Sequence, residues 1–284
     1  MTTMDLSIIL VHYETIDKTI ATIHSIKSTI HKYQYEIIVV DNSAKNMLAA
    51  DMSDKYVKTD NNGFANACNI GARVAAGNYI LFMNTDVKLG ENAVDAAMDY
   101  IKQDDNIGIL GIRTLLPDGT LDAGCKRGFP TPFAAFCYIT KLDRLFPGNK
   151  YIGRYHMTYL DPLKTQEVEC VSGAFMLMSS SLFKELGGWD ERFFMYSEDI
   201  DLCMRAHEHG RKNIFFADGC ITHYKGGSIT KSNNQILTDC FYDGMKLFYD
   251  KHYKGKYPCV ATWFVYAAIK IKKNLFKLRA RVLR

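Results

Sequence analysis

The stretch Glu36-Ile37-Ile38-Val39-Val40-Asp41-Asn42-Ser43 is a short apolar run that ends in polar residues, and its pattern recurs in the chain. Leu6–Val11 is a similar apolar run, and Tyr79–Met83 is another that ends in Asn84-Thr85-Asp86. Unbroken apolar runs of this length are typical of strands that are buried on both faces of a parallel sheet.

Helical patterns separate these predicted strands, and they lie at Ile16–His31, Gly63–Ala76 and Glu91–Gln103. Further strands are expected at Tyr56–Asp60 and Ile107–Thr114. Strands that alternate with helices predict an α/β fold with a mainly parallel, mixed sheet flanked by helices. We expect one domain over residues 1–253, divided into halves 1–115 and 116–253, followed by a separate segment, 254–284.

Composition excludes several classes of protein. The 284 residues carry a formal charge of +4, but nine of the 35 Lys and Arg lie from Lys254 onward, where no acid occurs. Residues 1–253 therefore carry 26 basic and 31 acidic residues, about −5, which does not favour nucleic acid as a partner. The eight cysteines form no CxxC pair, and neither a signal peptide nor a spanning segment is expected.

Two aspartates follow predicted strands directly. Asp41 and Asp86 each lie just past the end of a buried run, and ligands of such sheets bind outside the carboxyl ends of the strands. Each could instead be a turn or helix-cap residue. The small residues around Gly63 would let a helix start approach an anionic group closely, although no GxGxxG or P-loop pattern is present.

A second acidic region is Trp189–Arg205, where five carboxylates surround aromatic residues. Ser197 is a plausible N-cap for a helix at Ile200–Gly210, with Asp201 and Arg205 paired one turn apart. Acidic residues at a helix start can serve the macrodipole alone. The alternative is a carboxylate held against an apolar wall as a general base.

The region between these sites contains fewer clear patterns. Phe129–Leu163 is expected to be irregular and too long for a passive connector, which suggests a specificity region or a lid. A turn at Pro117–Thr120, β structure at Val168–Ser179 and a strand at Asn213–Ala217 complete the prediction. His223 ends a later run beside Gly226-Gly227-Ser228, and a structural and a ligand role are equally open for it.

Taken together in order, these motifs resemble the inverting family 2 glycosyltransferases of the GT-A fold, and most of all a bacterial rhamnosyltransferase branch. The resemblance covers roughly residues 5–230. The matching segments are Ser7–Val11, Val39–Ser43, Asn62–Ala65, Asn69–Gly71, Leu81–Asp86, Val171–Phe175, Phe193–Asp201 and His223 with Gly226–Ser228.

The resemblance implies roles for particular residues. Asp199 matches the catalytic base, with Glu198 as second choice. Asp86 matches the carboxylate that meets Mg²⁺ or Mn²⁺ on the donor diphosphate, and His223 could add a contact. The sequence departs from the family's DxD motif at its first position, which is Asn84. The residues implied for the nucleotide-sugar are Val11, Tyr13, Glu14, Asp41, Asn62, Gly63, Asn69, Asn84, Thr85 and Gly173.

The resemblance also implies a reaction and its partners. The expected donor is a nucleotide-diphospho-sugar, most of all dTDP-L-rhamnose, or another UDP- or GDP-sugar. The expected acceptor is a saccharide or a polyprenyl-linked glycan in the synthesis of cell-surface polysaccharide. The alternatives are a nucleotidyltransferase, which the segment Val11–Thr15 disfavours, and a catalytically inactive sugar-nucleotide-binding scaffold.

The C-terminal segment has a pattern of its own. From Pro258 onward, apolar and basic residues separate onto two sides of a predicted helix. The apolar stripe is Phe264, Ala268, Ile271, Leu275, Leu278 and Val282, and the basic residues are Lys270, Lys273, Lys277, Arg281 and Arg284. Such a helix suits an anionic membrane surface, although a docked or partner-binding helix is the alternative. We therefore expect a cytoplasmic enzyme attached peripherally to the inner face of the membrane through 258–284.

Overall fold

A computed structural model describes residues 4–45, 47–225 and 234–282. The strands are β1 (Leu6–His12), β2 (Tyr35–Asp41), β3 (Lys55–Lys58), β4 (Tyr79–Met83), β5 (Val87–Leu89), β6 (Ile107–Leu115), β7 (Lys126–Arg127), β8 (Gln166–Val168), β9 (Cys170–Val171), β10 (Phe175–Ser179) and β11 (Lys212–His223). The helices are α1 (Ile16–Thr29), α2 (Phe64–Val74), α3 (Ala93–Ile101), α4 (Pro132–Thr140), α5 (Leu142–Leu145), α6 (Ser180–Glu185), α7 (Glu198–Glu208), α8 (Asn234–His252) and α9 (Cys259–Val282).

One mixed sheet organises the fold, and its strand order is β3-β2-β1-β4-β10-β6-β11-β5, with β8 also paired to β11. β1 lies parallel to both neighbours, so that Leu6 faces Tyr35 on one side and Tyr79 on the other. β10 runs antiparallel between β4 and β6, and β11 is parallel to β6. The carboxyl ends of β1, β2, β4, β6 and β11 therefore lie at one edge of the sheet, which confirms the predicted mainly parallel fold.

Both faces of the sheet are covered, which explains the unbroken apolar runs. Ile9 of β1 packs in one core with Cys68 of α2 and Leu202 of α7. Its neighbour Ile8 projects to the opposite face and packs with Ile23 of α1. Because successive side chains of a strand point to opposite faces, a strand covered on both faces buries nearly all of its residues, and most residues of β1 and β2 are apolar.

Two predicted segments differ from the structure. Phe129–Leu163 is not wholly irregular, because it contains α4, which begins after a Thr131 side chain that accepts from the Ala134 amide, and α5. The strand expected at Asn213–Ala217 continues to His223. At Asp218-Gly219 the strand forms a bulge, where the register with β6 shifts between Phe216 and Cys220.

The predicted C-terminal helix is present as α9, and it packs on α8. The Tyr249 and Thr262 hydroxyls lie 2.9 Å apart across this contact. Lys273 bonds Asp239 and Asp243 of α8 at 2.9 and 2.8 Å, and Lys277 bonds Asp239 at 2.6 Å. Across the described part of the chain, none of the helices is long and apolar enough to cross a bilayer.

Candidate active site

A cavity of about 540 Å³ opens at the edge where the parallel strands end. Its walls come from the ends of β1, β4 and β11, the turn before β10, and the start of α7. Ten of the residues singled out from the sequence line it: Val11, Tyr13, Gly63, Asn84, Thr85, Asp86, Gly173, Glu198, Asp199 and His223. Topology thus joins side chains that are more than 200 residues apart in the chain.

Four of the predicted donor residues lie outside the cavity wall, and Asp41 is the most informative of them. Its side chain is completely buried, and its oxygens accept from the Ser43 amide at 2.7 Å, the Leu48 amide at 2.9 Å and the Tyr56 hydroxyl at 2.8 Å. Burial opposes ionisation, but these bonds outweigh it and lower the pKa of Asp41. Asp41 therefore holds the segment after β2, and its neighbour Asn42 lines the cavity.

Glu14 and Asn62 also lie outside the wall. Glu14 adopts a positive φ of 58°, and its carboxylate accepts from the amides of Ala44 and Lys45 at 2.7 and 3.0 Å. This arrangement ties the end of β1 to the loop after β2. Asn62 is exposed beside the start of α2. The sequence placed both residues close to the site but could not show where their side chains are directed.

Asn69, the fourth of these residues, holds the acidic stretch in place. Its side-chain amide donates to the Trp189 carbonyl and its oxygen accepts from the Trp189 amide, both at 2.9 Å. Asn69 and Asn66 also donate to the two oxygens of Glu191, at 2.8 and 2.7 Å. We call these contacts the α2 clamp, since they fasten the segment before α7 to α2.

The backbone around Gly63 completes the α2 clamp. The Phe64 amide donates to the Phe194 carbonyl at 2.8 Å, and Gly63 has a φ of 101°. A Cβ at Gly63 would lie 2.5 Å from that carbonyl oxygen, so that only glycine permits the approach. Trp189 packs edge-on against Phe64 and Phe82, with ring centroids 5.9 and 5.1 Å away.

Three of the five clustered carboxylates form hydrogen bonds and ion pairs that hold the fold together. Glu191 belongs to the α2 clamp, and Asp190 bonds Arg192 and Lys251 at 2.6 and 2.7 Å. Asp201 is fully buried, and it bonds Arg205 as expected. It also bonds Lys251 at 2.6 Å and His252 at 2.7 Å, which joins α7 to α8.

The turn that begins α7 differs from the predicted cap. Ser197 directly precedes the helix, but its side chain makes no capping hydrogen bond. Tyr196 and Ser197 both have positive φ values, 73° and 71°, and two such non-glycine residues in succession are strained. Gly244 of α8 packs against this turn, where a Cβ would lie 2.8 Å from the Tyr196 carbonyl. The strained turn directs the first two residues of α7 into the cavity.

Asp199 is held by partners that the sequence did not indicate. Arg127 bonds its Oδ2 atom at 2.5 Å, and the Gly173 amide donates to the same oxygen at 3.2 Å. Arg127 also donates to the Val171 carbonyl at 3.1 Å. A lone arginine in a region without a clear pattern gives no sequence signal, and only the pairing of β7 with β9 brings it to α7.

Glu198 lies beside Asp199 in a different environment. It is buried, and its Oε2 atom has no hydrogen-bond partner in the described part of the chain. Burial and the negative charge of Asp199 raise the pKa of Glu198 to about 8. Glu198 is therefore largely protonated at neutral pH.

The residues implied for a metal lie close together in the cavity wall. The His223 Nε2 atom is 3.0 Å from Asp86 Oδ1 and 3.4 Å from the Asn84 amide nitrogen. Asp122, which sequence reasoning missed, lies 4.0 Å from the His223 Nδ1 atom and bonds Lys225 at 2.7 Å. Among described residues no group of three or more His, Cys, Asp or Glu is arranged to hold a metal alone. One carboxylate and one imidazole fit a cation that takes its other ligands from a diphosphate and water. The motif Gly226-Gly227-Ser228 lies outside the described residues.

Comparison with known proteins identifies the family. Residues 7–187 match the model of glycosyl transferase family 2. The chain belongs to this family, which confirms the resemblance found in the sequence.

Two curated relatives are named for sugar transfer. The chain is 24% identical over 197 residues to an N-acetylglucosaminyl-diphospho-decaprenol L-rhamnosyltransferase of Mycobacterium tuberculosis, covering 69% of this chain and 63% of that protein. It is 28% identical over 218 residues to a low-salt glycan biosynthesis hexosyltransferase of Haloferax volcanii, covering 74% and 63%. The chain thus spans less than two thirds of the length of either relative.

A solved structure confirms the fold class. GalNAc-T7, crystallised with UDP, GalNAc and Mn²⁺, superposes with a TM-score of 0.56 at 17% identity, over 87% of this chain and 50% of that one. At this identity the likeness concerns the GT-A fold alone.

The role of Asp201 can be tested by unfolding. We expect Asp201→Ala to lower the free energy of unfolding by about 3 kcal/mol, because Arg205, Lys251 and His252 lose a buried counter-charge. Urea unfolding followed by circular dichroism measures the change. Asp51→Ala, which removes an exposed carboxylate, is the matched control, and an equal effect of both substitutions would contradict the structural role.

The raised pKa of Glu198 predicts a pH-dependent contribution to stability. Because the folded pKa, about 8, lies above the unfolded value of about 4.3, the contribution is full at low pH and is lost as the pH rises through 8. The stability of wild type relative to Glu198→Gln should therefore fall between pH 5 and pH 8. Glu167→Gln, at an exposed glutamate, should show no such trend. A pH-independent difference for Glu198→Gln would refute the raised pKa.

Proposed function

We propose that this protein is an inverting glycosyltransferase that uses a nucleotide-diphospho-sugar and a divalent metal. The observation that carries the proposal is the arrangement of one cavity, in which Asp199 lies on one wall and Asp86 with His223 on another. Membership of family 2 and two relatives named for sugar transfer support it.

The proposed donor is dTDP-L-rhamnose, since one relative is named an L-rhamnosyltransferase. A different UDP- or GDP-sugar remains the second candidate, because the structural relative GalNAc-T7 was crystallised with UDP. Donor choice depends on contacts to the sugar hydroxyls, and both Gly173, whose amide bonds Asp199, and Phe194 line the cavity.

In the proposed reaction, Asp86 and His223 would hold Mg²⁺ or Mn²⁺, which supplies charge neutralisation for the leaving diphosphate. Asp199 accepts the proton of the acceptor hydroxyl while the hydroxyl oxygen bonds to the anomeric carbon. The bond between that carbon and the diphosphate oxygen breaks, and its electron pair leaves with the nucleoside diphosphate. One displacement inverts the anomeric centre.

The other residues of the wall position this base. Arg127 and the Gly173 amide bond the same oxygen of Asp199, which fixes the orientation of its carboxylate. Glu198, largely neutral at pH 7, adds no second full negative charge beside it. Glu198, the second choice for the catalytic base in the sequence analysis, is therefore a positioning residue in this proposal, and Asp199 is the base.

The proposed acceptor is a saccharide or a polyprenyl-linked glycan, as in the synthesis of cell-surface polysaccharide, at the cytoplasmic face of a membrane. One relative is named for a lipid-linked substrate. Residues 258–284 are proposed to contact the anionic surface. Lys273 and Lys277 bond acids of α8, so the proposed contact uses Lys270, Lys272 and an exposed apolar stripe. That stripe comprises Val260, Trp263, Phe264, Ile271, Leu275 and Leu278. Arg281 and Arg284, whose side chains lie outside the described part of the chain, remain part of the proposed basic side.

An inactive sugar-nucleotide-binding scaffold is the main alternative function. Substitution of Asp199 distinguishes this scaffold from an enzyme. We expect Asp199→Asn to lower the rate of sugar transfer by about 10²–10⁴-fold, because the acceptor hydroxyl loses its proton acceptor. Donor affinity should stay near the wild-type value. Glu198→Gln, one residue away, should lose less activity. Transfer by Asp199→Asn at the wild-type rate would contradict the assignment.

The metal site can be tested without turnover. A ligand that binds only the folded state raises the melting temperature, so UDP, GDP or dTDP with Mn²⁺ should raise it more than either component alone. Asp86→Asn should abolish the Mn²⁺-dependent part of the shift. Asp118→Asn, in the exposed turn after β6, is the control. An undiminished Mn²⁺ effect in Asp86→Asn would show that Asp86 is not a ligand.

A further inference from the structure

Helix α4 has an unusual distribution of side chains. Its sequence, Pro132–Thr140, contains no charged residue. Its inner side consists of small residues, with Ala134 and Cys137 completely buried, whereas Phe133 and Phe136 are 57% and 54% exposed. A surface helix normally presents polar residues outward, whereas the outer face of α4 is apolar and exposed within the described part of the chain.

More exposed apolar residues follow α4 in the chain. Leu145, Phe146 and Tyr151 follow within the next eleven residues, and they are 71%, 54% and 64% exposed. Single exposed apolar residues are ordinary, but a group of this size marks an interaction site. We call these three residues, with Phe133 and Phe136, the α4–α5 patch.

Positive charge accompanies the α4–α5 patch. Lys141, Arg144 and Lys150 are exposed, and these three cations form no ion pair with any residue in 4–45, 47–225 or 234–282. The only acid between residues 129 and 160 is Asp143, and it is buried. Cations interleaved with aromatic side chains, without exposed carboxylates, match the headgroup region of an anionic bilayer.

The patch is anchored beside the candidate base. The chain leaves β7 at Arg127, which bonds Asp199, and returns at Arg154 and Tyr155. The Gly128 amide closes this excursion by donating to the Arg154 and Tyr155 carbonyls at 3.1 and 2.9 Å. The α4–α5 patch therefore belongs to an excursion of the chain whose two ends lie next to Arg127, the residue that bonds Asp199.

We propose that the α4–α5 patch inserts into the interface of an anionic bilayer and thereby presents the cavity to a lipid-linked acceptor. The lipid-linked acceptor in this inference is taken from the proposed function. The α4–α5 patch is a different surface from the one proposed for α9. Aromatic side chains would enter the boundary between headgroups and acyl chains, and the three cations would meet anionic headgroups.

Fluorescence tests the insertion directly. The probe is Phe136→Trp in a Trp263→Phe background, where the other tryptophan, Trp189, is buried and constant. We expect its emission to shift to shorter wavelength on addition of vesicles that contain phosphatidylglycerol. Val74→Trp in the same background, at an exposed position on α2 outside the patch, should not shift. An unshifted Phe136→Trp emission would overturn the proposal, and it is the result expected if the patch binds a protein instead.

Vesicle flotation of the full chain measures how much the cations and the aromatic residues of the α4–α5 patch contribute to vesicle binding. Lys141→Glu/Arg144→Glu/Lys150→Glu and Phe133→Ser/Phe136→Ser should each weaken binding by about tenfold or more. Val74→Ser/Leu163→Ser removes two exposed apolar residues outside the patch and should bind as wild type does. Circular dichroism confirms that each variant is folded, and wild-type binding by both patch variants would refute the proposal.

The two proposals fail separately. An unshifted probe in a protein that transfers sugar to a soluble acceptor would refute the patch alone. A shifted probe in a protein that uses no nucleotide-sugar under any condition would refute the glycosyltransferase proposal alone.

Discussion

The α2 clamp is the contact on which the candidate site depends. The Asn69 side chain bonds both backbone groups of Trp189, and the Phe64 amide bonds the Phe194 carbonyl, so that the segment between them has little freedom to move. α2 is itself packed on β1 and β2, with Gly71 close to Ile9 and Val40. Asp199 therefore takes its position from the sheet, although it lies at the start of a helix. The strained backbone at Tyr196 and Ser197 persists because packing on both sides over-determines it.

The cavity contains two groups of ionisable residues, Asp199 with Glu198 and Asp86 with His223. On the α7 wall, Arg127 pairs with Asp199, and burial together with the charge of Asp199 raises the pKa of Glu198, so the local negative charge is small. Elsewhere in the cavity wall, the His223 Nε2 atom lies 3.0 Å from Asp86 Oδ1. Under the proposed function, this pair would hold the cation that neutralises a diphosphate leaving group.

Much of the fold could be predicted because buried strands must be apolar on both faces, as Ile8 and Ile9 illustrate. The residues after β1, β2 and β4 were also predictable, since parallel strands bring their carboxyl ends to one edge. The direction in which individual side chains point could not be predicted from the sequence. Asp41 and Asn69 belong to matching motifs, yet both form hydrogen bonds with the backbone outside the cavity. Arg127 was missed because its contact with Asp199 depends on tertiary pairing and on no local pattern.

The central claim is that Asp199 deprotonates an acceptor hydroxyl for a single displacement at the anomeric carbon. The most direct test is the anomeric configuration of the product, determined by NMR after transfer from a nucleotide-sugar of known configuration. The account predicts complete inversion, since no covalent intermediate forms between the sugar and the protein. A product with the donor's configuration would contradict it.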